Sequence, residues 1–136
     1  MHKYRPTQGR LAYLIQVTES EVAKNNEKRV VSALTHDYPF PNRPPWITSA
    51  RLSTTQEDHC GIDVVVETTD AGEIHLQVKG CHRGREAFIL RQAQGKVSTK
   101  IIPVIINPAY DARQICKIVI PLLSQTRNKR LGQKRL

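Results

Sequence analysis

The sequence has few cysteines and no long apolar run. No stretch of about 18 consecutive apolar residues occurs in its 136 residues, so we expect no membrane-spanning helix and no membrane contact. Its three cysteines, Cys60, Cys81 and Cys116, are odd in number and lack the spacing of a disulfide framework, which favours a reducing compartment. The N-terminal residues also lack the cleavage site of a secretory signal, and we therefore expect a cytoplasmic protein.

Several familiar motifs are missing as well. The chain has no internal repeat, no low-complexity tract, no phosphate-binding glycine loop and no local motif for a Ser/His/Asp or cysteine nucleophile. A length of 136 residues predicts one domain with a single core. The hydrophobic share of 39% is low for a compact domain, so part of the chain is predicted to be solvated.

The chain has fewer acidic than basic residues. Twelve Asp and Glu stand against 21 Lys and Arg, giving a net charge of +9 and favouring a polyanionic partner, most simply nucleic acid. Residues 126–136 are basic and have little to bury, so we predict a domain over residues 1–125 followed by a flexible tail. Predicted contacts to a nucleic-acid backbone are Arg83, Arg85, Lys129 and Arg130.

The segment from Asp58 to Gly80 contains the most informative pattern. Two β-like runs, Ile62 to Glu67 and Glu73 to Lys79, flank a connection rich in turn formers, which predicts an antiparallel hairpin. Because side chains alternate along a strand, the second run has one apolar and one polar face. The alternation assigns Ile62, Val64 and Val66 to one face of the first run and Asp63, Val65 and Glu67 to the other.

Asp63, Gln77 and Lys79 are then predicted to gather on one surface. Carboxylate and amide oxygens are ligands for a hard cation such as Mg²⁺, and a neighbouring lysine suits a phosphate or a water molecule. Gly61, just before the first run, suits a close backbone approach. The sequence therefore predicts a cation site with an ammonium group beside it.

This pattern resembles the active-site signature of the PD-(D/E)xK nuclease superfamily. The string Gly61-Ile62-Asp63 is followed, fourteen positions after Asp63 (77 minus 63), by Gln77-Val78-Lys79, similar to the variant with Gln in place of the last acid. The closest likeness is to Holliday-junction resolvases and Mrr-like restriction enzymes. The resemblance implies a restriction-endonuclease-like αβββαβ core, an α/β fold with a mixed sheet flanked by helices. It also implies Mg²⁺- or Mn²⁺-dependent hydrolysis of phosphodiester bonds, with DNA as partner and a homodimer as assembly.

The superfamily also has a glutamate on its first helix, a role that we assign to Glu27. Thr18 and Glu21 match a capping box, so a helix is predicted to begin near Thr18. Ala23, Glu27, Val30 and Leu34 then share one stripe, which puts a carboxylate on the buried face. A bound cation would compensate for that burial. Glu19 is the remaining competitor, and pairing of Glu27 with Lys24 or Lys28 is the ordinary alternative.

The implied roles follow from the resemblance. Asp63 would bridge the metal, Glu27 and Gln77 would complete its side-chain ligands, and the Val78 carbonyl would be a backbone ligand. Lys79 would orient water or stabilise phosphate charge. Gln77 lacks the charge of a carboxylate, so cation binding should be weaker unless a further acid compensates. Candidate accessory residues are Asp58, Glu67 and His75, although Asp58 is better interpreted as a turn residue.

The other segments predict a mixed set of elements. Ile47 to Leu52 is predicted as a short strand. Ile101 to Ile106 is predicted as a buried strand, placed near a sheet edge or a bulge by Pro103. Asp111 to Gln125 predicts a helix disturbed at Pro121. Residues 87–99 fit either a helix broken near a glycine or a further strand. The proline-rich residues 38–46 predict a surface connection, with Trp46 as an anchor on the core.

Two other functions compete with the nuclease interpretation. A basic nucleic-acid-binding module without catalysis would explain the charge equally well. A zinc site would need a selection from His59, Cys60, His75, Cys81 and His82. Adjacent His-Cys pairs do not readily present both side chains to one tetrahedral ion, which disfavours zinc.

Overall fold

The computed structural model describes residues 8–35 and 44–134, with the side chains of the first helix described from Glu21 onward. Eight elements lie in these ranges. They are α1 (Gln8–Leu34), β1 (Ile47–Leu52), α2 (Thr55–His59), β2 (Val64–Thr68), β3 (Glu73–Lys79), α3 (His82–Ala93), β4 (Ile102–Ile105) and α4 (Ala112–Lys134).

The strands form one mixed sheet in the order β1-β2-β3-β4. The β1/β2 and β2/β3 pairs are antiparallel, whereas β3 and β4 are parallel and are connected through α3. The fold is therefore α/β with a four-stranded mixed sheet flanked by helices, as predicted. The hairpin, the first strand and the edge position of the strand that contains Pro103 are also confirmed.

Helices cover both faces of the sheet. The main core lies on the face covered by α1 and α4, where Val64 and Leu76 are fully buried. A smaller core on the α3 face contains Ile62, Val65 and Phe88. The prediction that Ile62 shares a face with Val64 is wrong, because β2 begins only at Val64 and strict alternation does not extend back to Ile62.

The predicted start of the first helix is also wrong. α1 already includes Gln8, so Thr18 lies inside the helix and is not its N-cap. A capping box is found instead at α2, where Thr54 and Glu57 exchange side-chain and backbone hydrogen bonds, and Asp111 and Gln114 exchange the same pair of bonds before α4.

α4 is longer than predicted. It continues through Pro121 to Lys134, so residues 126–134 are helical where the sequence predicted a flexible tail. Contacts to the β2–β3 turn account for the difference: Arg127 donates two hydrogen bonds to the Asp70 carboxylate, at 2.9 and 2.5 Å, and lies 5.0 Å from the Trp46 ring centroid. Trp46 packs against the main core, as predicted.

Residues 87–99, left open by the sequence, form the end of α3 and a loop that turns at Gly95. Residues 38–43 of the proline-rich segment lie outside the described ranges. Within those ranges, no helix has the length and apolar character required to cross a bilayer.

Candidate metal centre

Asp63 lies immediately before β2, where the chain leaves α2. Gly61 makes this connection possible because its φ of 89° is disfavoured for other residues, and an added Cβ would lie 3.2 Å from the Phe88 ring. The close approach predicted at Gly61 is therefore confirmed. Two residues later, the backbone N–H of Asp63 donates to the Leu76 carbonyl at 2.8 Å, which ties the residue to β3.

The Asp63 side chain is buried and oriented by the backbone. Only 5% of Asp63 is exposed, and its Oδ2 accepts a 2.8 Å hydrogen bond from the N–H of Val78. Asp63 thus contacts β3 on both sides of Gln77, through Leu76 and Val78. The predicted contribution of Val78 was its carbonyl, whereas the contact seen here is through its N–H.

Glu27 reaches Asp63 from the middle of α1. Its neighbour Asn26 is 3% exposed and donates to the Ile106 carbonyl at 3.2 Å, which fixes this part of the helix at the end of β4. The Glu27 side chain is half-buried, and its carboxyl group lies close enough to that of Asp63 for each to shift the pKa of the other. Val30 and Leu34 are buried as predicted, but Ala23 is exposed.

The two carboxyl groups perturb each other. Burial raises the pKa of Glu27 to about 7, and the negative charges of Asp63 and Asp58 contribute to the increase. Burial also raises the pKa of Asp63, although the Val78 N–H and the Lys79 ammonium act against that rise. The pair is arranged so that a protonated Glu27 can donate to an ionised Asp63.

Gln77 contributes an unusual acceptor. The residue is 8% exposed, and its Oε1 is buried without a hydrogen-bond partner among the described residues. A buried carbonyl oxygen without a donor costs about 1–3 kcal/mol, so such an atom is rare unless it serves a ligand. The amide oxygen lies on the strand that Asp63 contacts on both sides.

Lys79 is positioned by α3. Its Nζ lies 6.0 Å from the centroid of the Phe88 ring, and its aliphatic carbons lie beside Gly84. The ammonium is close enough to lower the pKa of Asp63 against the larger effect of burial. Lys79 therefore belongs to the same electrostatic environment as the carboxyl pair.

The donor set suits a hard divalent cation. Glu27 and Asp63 offer carboxylate oxygens, and Gln77 offers an amide oxygen. The raised pKa values of the two acids show that their charges lack full compensation in the protein alone. Mg²⁺ or Mn²⁺ would supply that compensation, so the residues fit the cofactor that the sequence predicted.

The accessory candidates fall into two groups. Asp58 is exposed, but its charge acts on both Glu27 and Asp63. Glu67 accepts a hydrogen bond from Ser49 near the hairpin turn, and His75 contacts Glu73, so both have other partners. The sequence favoured Asp58 as a turn residue. Of the three accessory candidates, it is the one whose charge raises the pKa of both Glu27 and Asp63.

A second acidic cluster was missed from the sequence. Within the described part of the chain, Glu57, Glu73 and His75 have potential ligand atoms within 4.8 Å of one another. The guanidinium group of Arg51 lies 2.7 Å from Glu57 and 3.8 Å from Glu73, so the positive charge of an arginine already compensates this cluster. None of the three cysteines belongs to it, and the zinc alternative gains no support.

The predicted nucleic-acid contacts lie on two helices. Arg83 and Arg85 are in the first turn of α3, and the Nε of Arg85 donates to the Pro103 carbonyl at 3.3 Å. Lys129 and Arg130 lie on α4, near the β2–β3 turn.

In comparisons with known proteins, no family model, curated protein or solved structure matches this chain.

Proposed function

We propose that the protein is a metal-dependent nuclease that hydrolyses phosphodiester bonds, with DNA as substrate. The observation that carries this proposal is the proximity of the half-buried Glu27 carboxyl group on α1 to the buried Asp63 carboxyl group before β2. Two acids in contact destabilise the folded state when both are ionised, and such pairs persist where they bind a cation or transfer a proton. The buried Oε1 of Gln77, which has no hydrogen-bond partner among the described residues, supports the same interpretation.

Each residue has a defined task in this proposal. Glu27, Asp63 and Gln77 would hold Mg²⁺ or Mn²⁺, which supplies charge neutralisation at the phosphate and activation of water when bound. The Val78 N–H keeps the Asp63 carboxylate oriented. Lys79 stabilises negative charge on the phosphate or orients the attacking water, aided by a position beside the acids.

The element order supports a finer assignment. α1, β1, β2, β3, α3 and β4 follow one another as αβββαβ, interrupted only by the five-residue α2. We propose that these elements are a restriction-endonuclease-like core of the PD-(D/E)xK type. In that core the acids come from the first helix and the hairpin, which agrees with Glu27 and Asp63.

A second candidate is a nucleic-acid-binding module without catalysis. The observation that favours it is Gln77, because a neutral amide stands where a third carboxylate would strengthen cation binding. The net charge of +9 suits both candidates. An assay for DNA cleavage distinguishes the nuclease from the binding module.

The test is to incubate purified protein with branched, single-stranded and supercoiled DNA in the presence of Mg²⁺ or Mn²⁺. We expect cleavage by the wild type and its loss in Asp63→Asn and Lys79→Met. The matched control is Glu73→Gln, which removes a carboxylate from the cluster occupied by Arg51 and should leave cleavage unchanged. Binding without cleavage on every substrate would reject the nuclease in favour of the module.

A further inference from the structure

A basic concavity lies between the β2–β3 turn, the start of β4 and α4. Its volume is about 610 Å³, and it opens between the C-terminal half of α4 and the segment that leads into β4. Ala71 of the β2–β3 turn and Ile102 at the start of β4 contribute to its wall. Ile102 pairs with Leu76 of β3, so the wall extends from the turn to the middle of that strand. The concavity is nevertheless separate from the metal centre, because none of Glu27, Asp63, Gln77 and Lys79 lines it.

One face of α4 supplies most of the lining. The contributing side chains recur at i, i+3, i+4, i+7 and i+8, so they form a single stripe along the helix. They are Thr126, Lys129, Arg130, Gln133 and Lys134. Thr99 and Lys100 face them from the segment before β4.

This lining consists largely of hydrogen-bond donors. Four of its side chains are cationic, others offer hydroxyl or amide groups, and no carboxylate is among them. The nearest acid on the turn, Asp70, is already bound by Arg127 through two hydrogen bonds. No residue of the lining neutralises the four cations, although the charge of Asp70 also acts on Lys134.

The concavity is held in shape by the turn. Arg130 donates to the carbonyls of Ala71 and Glu73, at 3.0 and 2.5 Å, and Lys134 donates to the carbonyl of Asp70 at 3.1 Å. Within the described residues, no hydrogen bond or ion pair involves the ammonium groups of Lys100 and Lys129. These two lysines are available to a ligand.

The surface fits a nucleic-acid backbone better than a lipid bilayer. Membrane-surface helices bury large apolar side chains in the interface. The large hydrophobic side chains that are exposed in the described part of the chain are Val22, Leu52, Ile89 and Leu90, and none of them lines this concavity. A concave row of cations with hydroxyl and amide donors matches successive phosphates.

We propose that this concavity binds the phosphodiester backbone of the nucleic-acid substrate at a place separate from the metal centre. The inference rests on the proposed function for its substrate. The concavity thus sets where the substrate is held, and it does not take part in hydrolysis.

The experiment measures binding without catalysis. Fluorescence anisotropy with labelled single-stranded and duplex DNA is recorded in EDTA, over salt concentrations from about 50 to 200 mM. Lys129→Gln is compared with Lys117→Gln, an exposed lysine on the same helix outside the concavity. We expect Lys129→Gln to reduce the slope of log K against log salt by about 0.7 for single strands, or about 0.9 for duplex, and Lys100→Gln to add a similar loss.

The double variant Lys100→Gln/Lys129→Gln should bind about tenfold more weakly than the wild type at low salt. An unchanged affinity and slope in the double variant would overturn the proposal, as would an equal loss in Lys117→Gln. Binding to anionic phospholipid vesicles through these two lysines, without binding to DNA, would also reject it. Binding is measured in EDTA, where metal-dependent cleavage does not take place, so failure of cleavage and failure of this site are distinguishable.

Discussion

The carboxyl groups of Glu27 and Asp63 lie close enough for each to shift the pKa of the other, one on the first helix and the other at the start of the hairpin. This contact makes the protein less stable when both groups are ionised. It also creates a place where a divalent cation is favourable. The first prediction follows from this conflict between stability and cation binding.

Glu27→Gln should stabilise the metal-free protein at neutral and alkaline pH. Burial raises the pKa of Glu27 from 4.5 to about 7, so the folded state binds more protons than the unfolded state between these values. Wild-type stability therefore falls as pH rises through this window, and the variant should not show that loss. Chemical denaturation in EDTA should give a difference near zero at acidic pH and about 1–3 kcal/mol above pH ~7.

The control for this prediction is Glu21→Gln, an exposed position on the same helix. Its difference from the wild type should stay constant across the pH range. A Glu27→Gln difference that is equally constant would show that the Glu27 carboxylate carries no folding penalty.

Mg²⁺ or Mn²⁺ should stabilise the wild type and not Asp63→Asn. At a metal concentration about tenfold above the dissociation constant, linkage predicts about 1.4 kcal/mol of stabilisation. Thermal unfolding with and without metal measures this directly. Glu73→Gln should retain the metal effect, because Arg51 already compensates that cluster. If the effect were lost in Glu73→Gln and retained in Asp63→Asn, the metal would bind at the cluster of Glu57, Glu73 and His75 instead.

Gln77→Met should stabilise the metal-free protein while weakening metal binding. The substitution removes a buried oxygen that has no hydrogen-bond partner among the described residues, and it nearly conserves side-chain volume. The expected gain is about 1 kcal/mol by denaturation in EDTA. Isothermal titration with Mn²⁺ should show weaker binding than in the wild type. A destabilised variant would mean that Gln77 is satisfied in solution.

Gly61→Ala should destabilise the fold by about 1–2 kcal/mol, because its φ of 89° and the Phe88 ring 3.2 Å from the new Cβ both oppose a side chain. Gly132→Ala is the matched control. Gly132 lies inside α4, where nothing is within 4 Å of an added Cβ, and the substitution should stabilise the protein by up to about 1 kcal/mol. Equal effects at the two positions would contradict the strained connection before Asp63.

Asp70→Asn should loosen the C-terminal half of α4. Arg127 lowers the pKa of Asp70, so their contact contributes stability above the ordinary pKa of the carboxyl group and loses it as pH falls. Hydrogen exchange followed by mass spectrometry should be faster across residues 126–134 in the variant. Exchange in the wild type should likewise accelerate in that segment at acidic pH. Unchanged protection in both cases would show that Trp46 and the backbone contacts of Arg130 are sufficient.

The hairpin and its strands were accessible from sequence because their signals are local. The turn formers between residues 68 and 72 and the β-branched run at Val64 define neighbouring strands without reference to the rest of the chain. The capping-box pattern at Thr18 gave a wrong helix start, because a Ser/Thr and a Glu three residues apart can also occur within a continuous helix. The end of α4 was missed because its partner, Asp70, lies in a distant turn.

The sequence by itself determined the α/β character, the hairpin, the basic charge and the types of residue able to bind a cation. These properties depend on composition and on alternation over a few residues. Only the tertiary structure decided that Glu27 meets Asp63, that the Gln77 oxygen is left without a donor among the described residues, and that residues 126–134 form a helix beside a basic concavity. Such relationships depend on how helices pack across the sheet, and side chains far apart in the chain come together only after that packing.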